Sequence, residues 1–119
     1  MRRRVVQIKQ IAGAAPQTSG IFEVEEFHTI AVNLDPVAGA PVNLLVELID
    51  EAGTAHLITN PVVAVGATVF LLLGREVGLQ PQGGVFVFGA GIVPRRLQIR
   101  TTGAGGTATA TVYGVKDEP

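Results

Sequence analysis

Residues 95–115 read RRLQIRTTGAGGTATATVYGV. Leu97, Ile99 and Thr101 alternate with Arg96, Gln98 and Arg100. After the glycine run, Ala108, Ala110 and Val112 alternate with Thr109, Thr111 and Tyr113. Period-two alternation is the mark of a strand with one buried face. The segment therefore predicts two strands joined by a glycine turn, a β-hairpin near the C-terminus, and an all-β class.

The pattern repeats toward the N-terminus. Residues 3–11 alternate, with Val6 and Ile8 opposed to Gln7 and Lys9. Short strands follow at 21–25, 29–34 and 42–50, with loops at 12–20 and 35–41. In 42–50 the face opposite Val42, Leu44, Val46 and Leu48 also holds Leu45 and Ile49, so part of that second face is expected to be covered. A tight turn at 51–54 leads to a strand at 55–59, which Asn60-Pro61 breaks. Residues 62–73 (VVAVGATVFLLL) hold one long strand or two short ones bent at Gly66. A glycine-containing loop is expected at 74–84, a strand at 85–88 and a turn at 89–94. Eight to ten short strands at this spacing predict a single domain over 1–119, a jelly-roll-like β-sandwich or barrel. Residues 1–4 are read as a basic N-terminal arm.

Composition bounds the function. The chain has 119 residues, 47% of them apolar and 16% charged, with a mean hydropathy of +0.40. That apolar content predicts surface buried between subunits or against a partner. The run 62–73, too short to cross a bilayer as a helix, would be an aggregation hazard on an exposed edge, so it is expected to be central or covered by a symmetry mate. There are no cysteines and the net charge is −1, which leaves no thiolate metal site and no bulk attraction to nucleic acid. The first residues lack the apolar core of a signal peptide.

No chemistry emerges from the motifs. Residues 103–108 (GAGGTA) match the dinucleotide pattern G-x-G-x-x-A, but that pattern needs a helix behind it, and here strand formers follow. His28 and His56 lie on different elements. Glu25, Glu26 and His28 form no recognisable ligand set. Ser19 lacks a nucleophile context. The sequence thus predicts no enzyme, no catalytic, cofactor-binding or metal residues, and no nucleic-acid, membrane or small-molecule partner. Charge, in contrast, is segregated. Arg2, Arg3, Arg4 and Lys9 precede any acid, and seven acids, including Glu23, Glu25 and Glu26, occupy 21–60 without a Lys or Arg. Two opposed patches suit subunit or partner contacts, with an ordinary solvated surface as the alternative. Together with Val69, Phe70 and Leu72 of the apolar run, the seven named charges are the candidate interface residues.

The stretch 95–115 resembles the closing hairpin of small β-sandwich virion proteins of tailed bacteriophages. There a strand of the form L-x-I/V-R/T-T leads through a glycine turn into a Thr/Ala/Val strand ending near Tyr-Gly. Residues 22–35 (FEVEEFHTIAVNLD) and 42–53 (VNLLVELIDEAG) look like the paired N-terminal strands of those proteins. Within the group, the compact type without a stalk is most similar to capsid decoration, or cement, proteins. The resemblance implies a structural role on the outer head surface of a virion, as a homotrimer bound to the major capsid protein, with Arg2, Arg3 and Arg4 as contacts of an N-terminal arm. A tail, baseplate or head-spike component, or a carbohydrate- or receptor-binding module, is the alternative.

Overall fold

The computed structural model describes residues 2–74, 80–82, 85–87 and 95–118, without the side chains of 2, 80–82, 85–87 and 118. Twelve strand segments are found among them: β1 (Arg2–Ala14), β2 (Gln17–Thr18), β3 (Phe22–Glu23), β4 (Thr29–Leu34), β5 (Val42–Ile49), β6 (Ala55–Thr59), β7 (Val62–Val63), β8 (Val69–Gly74), β9 (Gln80–Gln82), β10 (Val85–Val87), β11 (Arg96–Thr102) and β12 (Thr107–Glu118). The expected turn at 89–94, Phe88 and most of the loop at 74–84 lie outside the described residues. The part of that loop within them is not all loop: Gln80–Gln82 pairs with β10.

Two large antiparallel sheets result among the described residues, and β9 and β10 form a separate two-stranded one. The first has the order β1-β12-β4-β8. In the second, β11 and β5 are central. β2 and β3 share the edge beside β11, and β6 and β7 share the edge beside β5. Counting each shared edge once gives eight strand positions, nested in their pairing. The first position pairs with the last, the second with the seventh, the third with the sixth and the fourth with the fifth. That nesting is the jelly roll.

It corrects the reading of the final segment. β11 and β12 are not a hairpin. β11 lies between β5 and the β2/β3 edge, whereas β12 lies between β1 and β4 in the other sheet. Alternation shows which face a strand buries but not which strand it joins. The glycine run crosses the sandwich at a crowded corner. A Cβ on Gly106 would overlap Val42 and the carbonyl of Ala40. Gly103 and Gly105 supply the positive φ angles, 131° and 83°, that side-chain-bearing residues rarely adopt.

The alternations themselves place the core. Ile30, Val32 and Leu34 of β4 meet Val112 and Ala110 of β12 on one flank and Leu71 and Leu73 of β8 on the other. Leu44, Val46, Leu97 and Ile99 close the interior from the second sheet. Each such Leu or Ile contributes about 1.5–3 kcal/mol when fully buried. Within this inward row of β12, Gly114 is the exception, and Phe27 explains it. The ring of Phe27 occupies the space where a Gly114 Cβ would stand, so the β3–β4 corner folds its aromatic side chain onto a gap left in β12.

Residues 62–73 form two strands in different sheets. β7 belongs to the β5 sheet and β8 to the β4 sheet, with Gly66 at the turn between them. β8 closes its hydrogen-bonded sheet, and β10 of the same chain runs beside it. The basic arm expected at 1–4 is, from Arg2 on, the start of β1, paired with the last residues of β12: Arg2 opposite Glu118, Arg3 opposite Asp117, Arg4 opposite Lys116. Val6 and Ile8 pack against the core and Ile11 is buried in it, so β1 is an integral strand.

Candidate interaction surfaces

The strands that build the core also fix two outer faces. On the first sheet the outward positions alternate with the buried ones. They are Thr109, Thr111, Tyr113 and Val115 on β12, Thr29, Ala31 and Asn33 on β4, and Phe70 and Leu72 on β8. Cross-strand register sets Phe70 beside Asn33 and Thr111, and Leu72 beside Ala31 and Tyr113. Gln10 of β1 completes one row by donating to the Thr111 hydroxyl at 3.1 Å. Among the described side chains this face carries no charge between the Arg3–Asp117 row at one end and the loops at the other.

The outer face of the second sheet is built around an ion pair. Glu47 projects outward from β5 yet is almost fully covered. Its carboxylate accepts from Arg100 Nε at 2.7 Å, from a terminal nitrogen of the same guanidinium at 3.2 Å, and from Gln98 Nε2 at 3.1 Å. The Arg100 hydrogen bond holds the Glu47 carboxyl below its usual range against the opposing effect of burial, with Gln98 adding to the depression. Arg100 is pushed up in turn by the same hydrogen bond and charge. Neither residue emerged from the sequence as a site. The available signal was a lone acid inside the apolar run LLVELI and a lone Arg in LQIRT. The register sets Glu47 opposite Gln98 and Arg100 opposite Leu45, so the ion pair is a diagonal one that the sequence does not show.

Most remaining charges gather at the end of the sandwich where β1 begins and β12 finishes. Arg95 reaches Glu51 at 3.0 Å and Glu25 at 3.4 Å. Lys116 pairs with Glu26 at 3.3 Å and lies 5.9 Å from the centre of the Phe27 ring. Arg96 donates to the Asp50 carbonyl. Asp50 anchors the β5–β6 turn: its carboxylate accepts from the backbone N–H of Ala52 and Thr54 and meets His56 at 2.7 Å. The His56 contact is the main reason its carboxyl is held low. His28 sits 3.6 Å from Asp117.

The ten sequence candidates therefore part company. Val69 is 3% exposed and belongs to the core. Phe70 and Leu72 are half-buried on the uncharged face. Glu25 and Glu26 are paired within the chain, as are Glu47 and Glu51, by basic residues from β11, β12 and the segment before β11. The acidic block of the sequence is thus largely neutralised in space. Glu23 stays exposed on β3. Arg3 and Arg4 are exposed on β1, and Lys9 is half-buried just past a bulge at Ile8. Of Arg2 only the backbone pairing is described. Among the described residues no group of three or more His, Asp or Glu side chains is placed to hold a metal ion.

No family model matches the chain, and no curated protein matches its sequence. Solved structures do share its fold. A SPBc2 prophage-derived protein, YomS, is similar over 98% of this chain and 96% of its own, with a TM-score of 0.65 at 11% identity. PfGH50B and the agarase AgWH50C each align with nearly the whole chain at a TM-score of 0.50, with 11% and 8% identity. The chain spans only 23% and 22% of their lengths. At these identities the likeness is one of fold.

Proposed function

We propose that this chain is a structural protein of a phage-type particle, docking on the outer surface of the head through the uncharged face of its first sheet and performing no catalysis. The observation that carries the reading is that face. A four-stranded surface whose described side chains are uncharged between the Arg3–Asp117 row and the loops, holding half-buried Phe70, Leu72 and Tyr113 among threonines and amides, matches the charge-depleted, aromatic-enriched centre of a stable protein interface. Docking there desolvates no ion, a cost the opposite face would impose. The shared fold with a prophage-derived protein of nearly the same length supports the same reading.

The test is location. Antibody raised against the purified protein and coupled to gold is applied to particles released by cells carrying its gene. Regular labelling over the heads is the expected result. Labelling confined to tails would move the protein to a tail or baseplate role. Particles without label would overturn the proposal.

A further inference from the structure

We propose that two copies of the chain pair side by side through the margin formed by β1 and β3, exchanging Arg3–Glu23 ion pairs across a two-fold axis parallel to the strands. β1 ends one sheet and the β2/β3 edge ends the other, on the same side of the sandwich. Of the described charged side chains at that end, Arg3 and Glu23 are the two that make no hydrogen bond or ion pair among the described residues. They are opposite in sign and both exposed.

Their placement suits exchange. Arg3 lies opposite Asp117, in the outward row of the first sheet, where β12 is finishing. Glu23 lies opposite Arg96, where β11 begins, and points away from the core because its neighbour Phe22 points in. The two charges thus occupy the same end of the strands but opposite faces of the sandwich. A two-fold axis along the strands keeps the level and inverts the faces. Each Arg3 then meets the other copy's Glu23.

A second pair of residues follows the same rule. Val5 shares the face of Arg3 two residues further from that end, and Ile21 stands in the same relation to Glu23. Both are exposed, at 65% and 50%. The symmetry that matches the charges also sets Val5 of each copy against Ile21 of the other, as an isologous contact requires. Lys9 and the bulge at Ile8 further along β1 guard against open-ended strand addition, so the contact is one of side chains and closes at two copies.

Light scattering of the purified protein over a range of concentration and salt tests this. A mass twice that of the chain at low salt, falling to one chain as salt screens the exposed pairs, is expected. Arg3→Glu and Glu23→Arg should each give folded monomers, with a melting temperature lowered by the like charge each reversal sets opposite Asp117 or Arg96 and by the loss of the partner copy. Mixed together they should form a dimer again, since every facing pair is then opposite in sign. A wild-type monomer at all concentrations, a trimer, or reversed variants that keep the wild-type mass would overturn the proposal. The pairing does not depend on the virion reading. Dimers that label no particle refute only that reading, and monomers on labelled heads refute only this one.

Discussion

The outer face of the β4 sheet holds Phe70, Leu72 and Tyr113 with uncharged neighbours, while the outer face of the β5 sheet holds Glu47 locked between Arg100 and Gln98. Both sheets send the same kinds of residue inward: Ile30, Val32 and Leu71 from one, Leu44, Val46 and Ile99 from the other. The core therefore does not distinguish them. They differ in how they meet water. The second face satisfies its own polar groups, so its side chains serve stability. The first leaves the apolar side chains of Phe70, Leu72 and Tyr113 half-buried among uncharged neighbours, with no ion pair among the described residues of that face between the Arg3–Asp117 row and the loops. Substitutions on the two faces should separate along that line.

The largest effect is expected beneath the first face. Gly114→Val puts a branched side chain where the Phe27 ring already stands. Neither can yield easily, because Phe27 is buried and Gly114 is paired on both sides, with Val6 and Ile30. Overpacking of this kind costs ~1–3 kcal/mol, and this variant should fall at the upper end. The urea midpoint should drop accordingly. A midpoint within error of wild type would mean that the β3–β4 corner is not held by this contact.

How much of this was legible in the sequence depends on distance along the chain. The faces were legible, because alternation is local: Leu97, Ile99, Ala108, Ala110 and Val112 are buried as their spacing implies. Strand partners were not. The glycine run at 103–106 reads equally well as a hairpin turn or a crossing, and only its packing against Ala40 and Val42, some sixty residues away, selects the crossing. The same holds for charge. Glu23, Glu25, Glu26, Glu47 and Glu51 form one acidic block in the sequence, yet the residues that neutralise most of them arrive from 95–116. The uncharged face was half visible. Phe70 and Leu72 belong to an evident apolar run, but Tyr113 joins them only through β4. Val69 belongs to the same run yet faces the core, because a run of apolar residues does not itself reveal which positions face in.

A smaller effect is expected on the second face. Arg100→Met removes the guanidinium and leaves the Glu47 carboxylate covered, with Gln98 as its remaining side-chain donor. Breaking a fully buried pair in this way costs several kcal/mol. Arg100 is 39% exposed, and solvent screening lowers the value, so a loss of about 2 kcal/mol is expected. The pH dependence gives a separate readout. The Glu47 carboxyl is lower in the folded protein than its ordinary value of 4.5. The unfolded chain therefore binds the proton more readily. The pair's contribution is present above about pH 4.5 and is lost as pH falls through the lower folded value. Wild-type stability should decline over that window, and Arg100→Met should flatten the decline. A variant with an unchanged acid limb would show that Glu47 does not draw its stability from Arg100.

The smallest effect on folding is expected on the first face, and there the comparison is sharpest. Leu72→Ser removes a half-buried side chain whose outer surface already meets water. Its cost to stability should be within about 1 kcal/mol, a fraction of the value for complete burial of a leucine. If the face is a docking surface, the same change should abolish the gold labelling of particle heads, because a polar side chain at the centre of an interface is left without a partner once water is excluded. Arg100→Met, although more damaging to the fold, should leave labelling intact at temperatures where the protein remains folded. The two variants thus exchange rank between a melting curve and a labelling count. If they keep the same rank in both, the uncharged face does no more than the paired one, and the division of labour between the sheets fails.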